Sequence, residues 1–315
     1  RALDLTARFD YDYWLSSEIK INSDFFNDPD VKAMLPDLQI VSDTLPVITK
    51  STIKNLNVNA KVFDLVLHTF GKIEIRRAST LIPQSAWITR RARDIFIFIA
   101  TSKNRRALKD NIIETFWMDE DPSIVEKNFH PTISHIRKAL NWHQPLKVNV
   151  ITFSDGAYQI NPELSCFIDT EEFELALAEA HKARISEDIE KMKINLIRAM
   201  ELYAGEFMPG VYDDWVEEKR RYFDSQYLRV LGSLAKMSFS QKDFASVITY
   251  TEKLLQKDPF REDAYRLLMQ TYAAQGKRAE VVRCFDELQN VLKKELNVQP
   301  SSKTVKLFHE LLERA

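Results

Sequence analysis

The side chains best suited to meeting a partner crowd between residues 90 and 158, and their types fit nucleic acid better than bond-breaking chemistry. Lys127, Asn128, Ser134, His135, Arg137 and Lys138 fall within twelve residues of one another. Arg and Lys donate to guanine acceptors or phosphates, Asn pairs with adenine, and Ser or His serves either. A second basic group, Arg90, Arg91, Arg93, Arg105, Arg106 and Lys109, suits the sugar-phosphate backbone, where contacts position a protein without reading sequence. Ser154 and Tyr158 could add backbone contacts from a hairpin. The alternative for each cation is a solvated face.

These side chains need elements to hold them. Asp121 is placed to accept backbone N–H bonds at a helix start, and Pro122 suits the first helical position, where its missing donor costs nothing. A helix is therefore expected from Pro122 to Leu140. Phe129, Ile133, Ile136 and Leu140 recur at helical spacing and mark its buried face. Lys127, Asn128, Ser134, His135 and Lys138 then point outward, with Arg137 on the flank. Pro131 inside the pattern is expected to bend or restart the helix. Upstream, DIFIFIA (94–100) has the composition of a strand but also a helical stripe, and is read as helix; Leu108 to Phe116 gives a second helix with Ile112, Ile113, Phe116 and Trp117 facing the core. Downstream, Val148, Val150 and Thr152, then Ala157 and Gln159, alternate around Ser154-Asp155-Gly156, and Asp-Gly is a strong hairpin signal. The hairpin either touches DNA or only packs on the third helix. The run KVFDLVLHTFGKIEIRR, turning at Gly71, supplies strands ahead of the helices. Strands, three helices and a two-strand wing, in that order, make a winged helix-turn-helix.

Composition agrees with a binding role. The chain has 315 residues, 45% hydrophobic and 29% charged, enough for two or three globular domains. Its net charge of −2 hides a basic stretch over 65–160 between acidic flanks. No apolar run reaches the length of a membrane span and no signal peptide opens the chain, so a cytoplasmic location is expected. The start at Arg1 suggests a piece of a longer protein. Cys166 and Cys284 lack metal-site spacing and read as buried hydrophobes. The six glycines form no phosphate-cradling motif. The clusters Asp119-Glu120-Asp121 and Asp213-Asp214 stand at expected helix starts, where carboxylates cap amides. His68, His130, His135 and His143 lack ligand spacing. No enzyme activity, cofactor or metal is expected.

The C-terminal half repeats with a period of 34 residues: Leu234 matches Leu268, Val247 matches Val281, Ile248 matches Val282 and Leu254 matches Leu288. This is the tetratricopeptide spacing of paired helices, with Tyr272, Gly276 and Phe285 as ring, turn and ring, and Pro259 closing one pair. Asp169 and Glu172 are spaced as a capping box for FELALAEAHKAR, so helices are expected from about 170 onward.

From residue 65 to the end, the winged helix followed by LYAGEFMP (202–209), by Trp215 with Glu217 to Arg221, and by ELNVQP (295–300) resembles the SARP/AfsR family of bacterial transcriptional activators. The resemblance implies an OmpR-like winged helix that binds DNA, with a bacterial transcriptional activator domain behind it as a regulatory platform. YDYWLSSEI and MLPDL within residues 1–45 weakly resemble the end of a helical sensor region in large signal-transducing NTPase regulators; a simple helical pair is the alternative.

The fold expected is therefore mainly α with small β elements: residues 1–60 as a helical tail plus linker, 61–160 as the winged helix, and 161–315 as an all-α tetratricopeptide-like domain. The function expected is sequence-specific DNA-binding transcriptional activation. The alternative is a protein-interaction or ligand-sensing module that does not bind DNA. Expected partners are double-stranded DNA, RNA polymerase or an upstream sensor module, and a second copy on DNA, with no membrane.

Overall fold

The computed structural model describes residues 63–142 and 148–314. The expected helices and linker before residue 61, the Lys61 start of the first strand, and His143 lie outside the described residues. Strands β1 (Leu65–His68), β2 (Glu74–Arg77) and β3 (Thr80–Leu81) form an antiparallel ladder that turns at Gly71, whose φ of 73° is open to glycine. A short strand absent from the sequence reading, β7 (Cys166–Ile168), pairs parallel with β1 and completes a sheet of order β3-β2-β1-β7.

Next comes the helical unit. DIFIFIA lies in a helix, α1 (Arg90–Ala100), capped by the Thr89 hydroxyl accepting from the Ala92 amide. The unbroken burial from Ala92 to Ile97 explains its strand-like composition, because nearly every side is covered. Strand β4 (Arg106–Leu108) leads into α2 (Lys109–Trp117), where Ile112 and Trp117 are buried and Ile113 and Phe116 pack against the same core. Helix α3 (Pro122–Leu140) starts as its punctuation dictates: the Asp121 carboxylate accepts from the Ser123 amide and Pro122 follows. Its buried stripe is Val125, Phe129, Thr132, Ile133, Ile136, Ala139 and Leu140. The helix does not restart at Pro131, and one helix runs through it. Pro131 is exposed, so the Lys127 carbonyl that loses its intrahelical donor can turn to water.

The wing is β5 (Ile151–Ser154) and β6 (Ala157–Ile160), joined by Asp155 and Gly156 at φ 50° and 73°, both left-handed as a two-residue hairpin turn needs. With β4 it forms a second sheet of order β4-β6-β5. Ile151 and Ile160 face each other, as do Phe153 and Tyr158, and all of these but Phe153 are buried.

The rest of the chain is helical: α4 (Asp169–Ile185), α5 (Ile189–Leu202), α6 (Asp214–Ser240), α7 (Phe244–Lys257), α8 (Glu262–Ala274), α9 (Arg278–Val291), a π-helical turn at Leu292–Leu296, and α10 (Ser302–Arg314). Leu234, Leu268, Val247, Val281, Leu254 and Leu288 are all buried, so the 34-residue period marks equivalent core positions of stacked helix pairs. Gly276 takes φ 70° in the turn between α8 and α9, and Phe285 stacks on Phe308 with centroids 4.1 Å apart. The fold is thus mainly α: strands, three helices and a two-strand wing in the winged helix-turn-helix order, followed by tetratricopeptide-like helices.

The capping box at Asp169 does not form. Asp169 is buried, and its carboxylate accepts from the amides of Thr69, Phe70 and Thr170 and from the Thr69 hydroxyl, while Glu172 pairs with Arg198. A local spacing signal was outcompeted by the end of β1, a hundred residues earlier. Burial pushes the Asp169 carboxyl upward against the lowering effect of the Phe70 and Thr69 donors.

One hydrophobic core spans Leu65 to Leu234, so the winged helix and the first helices behind it are packed as one body. Trp215 on α6 sits between Phe98 of α1 and Phe116 of α2, at 5.3 and 5.8 Å between ring centroids. A second core, Tyr265 to Leu292, holds α8 and α9, and Val305, Phe308, Leu311 and Leu312 of α10 pack on it.

Candidate nucleic-acid interface

Helix α3 offers a polar ridge. Lys127, Asn128, Ser134, Arg137 and Lys138 are exposed, whereas His135 is half-buried and its Nδ1 is enclosed without a hydrogen-bond partner. At about 100° per residue, Lys127, Ser134 and Lys138 fall along the crest opposite Phe129, with Arg137 on one flank and Asn128 and His135 on the other. Lys127, Arg137 and Lys138 make no ion pair among the described residues, so three cations on one ridge remain available to an anion.

The second basic group divides sharply. Arg90 is exposed at the first turn of α1, which holds no acidic residue, so its charge and the helix N-terminus present positive potential together. Arg91 donates to Glu120 at 2.9 Å and lies 5.0 Å over the Trp117 ring. Arg93 is buried and spent on Asp94, with Nη2 to Oδ1 at 2.7 Å. Arg105 donates to Glu171 of α4 at 2.9 Å, and Arg106 donates to the Asp155 carbonyl of the wing turn at 3.2 Å. Lys109 is half-buried with Nζ 5.3 Å from the Phe129 ring centre. Spacing alone could not separate Arg91, Arg105 and Arg106, because their partners come from the loop before α3, from α4 and from the wing.

At the wing, Ser154, Asp155 and Gly156 are exposed, but Tyr158 is only 5% exposed. Its ring packs 4.7 Å from Phe153 and 5.6 Å from Phe129, and burial raises its hydroxyl above the ordinary tyrosine range. Tyr158 therefore belongs to the seam between wing and α3 and does not present its ring to a partner. The expected alternation placed Thr152, Ala157 and Gln159 together, but the ring-bearing face has the opposite parity. The signal was available, since Ile151, Phe153, Tyr158 and Ile160 are the larger apolar set.

The first acidic cluster acts structurally, Asp121 capping α3 and Glu120 pairing with Arg91, whereas Asp213 stands at the start of α6 without the side-chain cap its position suggested. Among the described residues no group of three or more His, Cys, Asp or Glu could hold a metal, and no helix is long and apolar enough to cross a membrane. Cys166 and Cys284 are free and buried, and burial raises both thiols, Cys284 to about 12.

Comparison with known proteins adds to this geometry. Residues 168–312 match the family model of the bacterial transcriptional activator domain. The regulatory protein AfsR of Streptomyces coelicolor is 24% identical over 211 residues, which is 67% of this chain and 21% of AfsR. AfsR of Streptomyces griseus is 23% identical over 77% of this chain and 24% of its own length. The transcriptional regulatory protein MoaR1 of Mycobacterium tuberculosis is 21% identical, covering 78% of both chains. The chain thus spans about a fifth to a quarter of the AfsR proteins. Mycobacterium tuberculosis EmbR, solved in complex with a low affinity phosphopeptide, shares the fold with a TM-score of 0.64 at 19% identity, over 80% of this chain and 66% of EmbR.

Proposed function

We propose that this chain, whose residues 168–312 match the bacterial transcriptional activator domain, is a SARP-type regulator that binds duplex DNA through α3 and activates transcription. The observation that carries the reading is the ridge of α3, where Lys127, Ser134 and Lys138 share a crest and the three cations Lys127, Arg137 and Lys138 are not neutralised by carboxylates. A helix of this width enters the major groove, where Arg and Lys reach guanine acceptors and Ser and Asn read base edges. Arg90 and the N-terminus of α1 supply backbone contact beside it, and Ser154 with the amides of the wing turn supplies a second. Arg105, tied to Glu171, and Tyr158, folded under the wing, take no part. The helical repeats behind the winged helix couple DNA binding to RNA polymerase or to an upstream sensor module. A second copy on a repeated half-site fits such a reader.

A hydroxyl-radical footprint on DNA upstream of the protein's own gene tests the reading. Protection in patches about one helical turn apart on one face of the duplex supports it. Uniform cleavage at saturating protein would favour the interaction module instead.

A further inference from the structure

The last turn of a helix leaves four carbonyls without intrahelical donors, and at the end of α3 each of them has a partner. The Arg137 and Lys138 carbonyls accept from the Asn141 amide at 3.1 and 3.2 Å, and the Ala139 carbonyl accepts from the Trp142 amide at 3.1 Å. The fourth, on Leu140, accepts from Arg77 Nη1 at 2.8 Å. Arg77 is the last residue of β2, 63 positions upstream, and is half-buried. A guanidinium there satisfies an orphan acceptor and sets a positive charge against the negative end of the helix dipole. Arg137 and Lys138, the basic residues of that turn, are exposed on the ridge side.

The sheet that holds Arg77 is itself fastened to the helical domain. The Gly71 amide donates to the Glu206 carbonyl at 2.9 Å, the Met208 amide donates to the Thr69 carbonyl at 2.8 Å, and the Asp169 carboxylate takes the amides of Thr69 and Phe70. A continuous path thus runs from the segment 204–208 through the β1–β2 hairpin to the C-terminal end of the ridge.

We infer that Arg77 is a positioning residue for DNA recognition: from the β1–β2 hairpin it fixes the C-terminal end of α3, and with it Arg137 and Lys138, in the register that reads bases. This rests on the DNA-binding reading above. It separates two quantities that a merely structural role would move together. Backbone attraction depends on charge at long range and tolerates a small shift of the helix end, whereas bidentate base contacts do not.

The test uses the full chain, as wild type, Arg77→Gln and Arg77→Lys, titrated against the footprinted duplex and a scrambled duplex at several salt concentrations. Arg77→Gln is expected to lose about tenfold or more of the specific-to-random ratio, the scale of one good base contact, while its affinity and salt slope on scrambled duplex stay at wild-type values. Arg77→Lys, which keeps charge and one donor, is expected to recover part of the ratio. Faster amide exchange at Asn141 and Trp142 in Arg77→Gln, with an unchanged global melting transition, is the accompanying sign. An Arg77→Gln protein that discriminates as well as wild type overturns the inference alone. Equal weak binding of wild type to both duplexes removes the DNA reading and this inference with it.

Discussion

Gly71 and Gly205 meet back to back across the junction of the winged helix and the helical domain. A Cβ on Gly71 would lie 2.7 Å from the Ala204 carbonyl oxygen, and one on Gly205 would lie 2.8 Å from the Gly71 Cα. Both also sit at positive φ, 73° and 154°. Two turns distant in sequence are thereby pressed close enough for the Gly71–Glu206 backbone bond.

Either glycine replaced by alanine is therefore expected to cost at least about 2 kcal/mol, from left-handed strain plus a backbone clash that no rotamer relieves. Gly156, with a similar φ of 73° but open space around it, gives the control: Gly156→Asn costs well under about 1 kcal/mol. Denaturant unfolding of the three variants checks the contrast. Because one core spans the junction, the alanine variants should lower a single transition rather than split it.

Arg90→Ala and Arg105→Ala should part company. Losing Arg90 is expected to flatten the salt dependence of binding to any duplex by roughly one phosphate contact, with stability unchanged. Losing Arg105 breaks the Glu171 pair and is expected to leave the salt slope as it was. Anisotropy titrations over a salt series read both.

Lys219 on α6 reaches across the junction, donating from Nζ to the carbonyl of Thr101 and, at 3.0 Å, to its hydroxyl; burial lowers its pKa to about 8. Its pKa is thus lower folded than unfolded, so the unfolded chain holds the extra proton between about pH 8 and the ordinary lysine value near 10.4, and stability attributable to this group rises with pH through that window. The stability of wild type relative to Lys219→Met is expected to be greater at pH 9.5 than at pH 7. An equal difference at both values would contradict the assignment.

Glu262 closes the far end of the molecule. It accepts from the Ser301 amide at 3.0 Å, from the Ser301 and Thr304 hydroxyls, and faces Arg266, which anchors the start of α10. Burial alone would raise its pKa, but the Ser301 and Thr304 hydrogen bonds outweigh it and the net direction is down. The stabilisation is therefore present above the ordinary glutamate value near 4.3 and fades as pH falls through the lower folded value. Glu262→Gln is expected to cost about 1–3 kcal/mol at pH 7, and its deficit relative to wild type should shrink at low pH. Hydrogen exchange along α10 should rise first.

What was legible in the sequence had its cause nearby. Asp121-Pro122 announced α3, Asp155-Gly156 announced the wing turn, and the 34-residue period announced the stacked helices, because caps, turns and repeats act over a few residues. Strand β7 was invisible, since three residues show no periodicity and its partner Leu65–Leu67 lies a hundred residues away. The same distance turned Asp169 from a helix cap into a clasp for β1. On the ridge, Lys127, Ser134 and Lys138 followed from helical spacing, but the loss of Arg93, Arg105 and Tyr158 to buried or paired roles depended on tertiary neighbours. Arg77 carried no local signal at all.

We propose that the α3 ridge reads duplex DNA. The most direct test is an anisotropy titration of wild type and the Lys127→Ala, Lys138→Ala double variant against the footprinted and scrambled duplexes, at salt from low to physiological. Wild type should prefer the footprinted duplex with a steep salt slope, and the double variant should lose most of that preference and about two phosphate contacts of slope while melting as wild type does. Equal binding of both proteins to both duplexes would contradict the account.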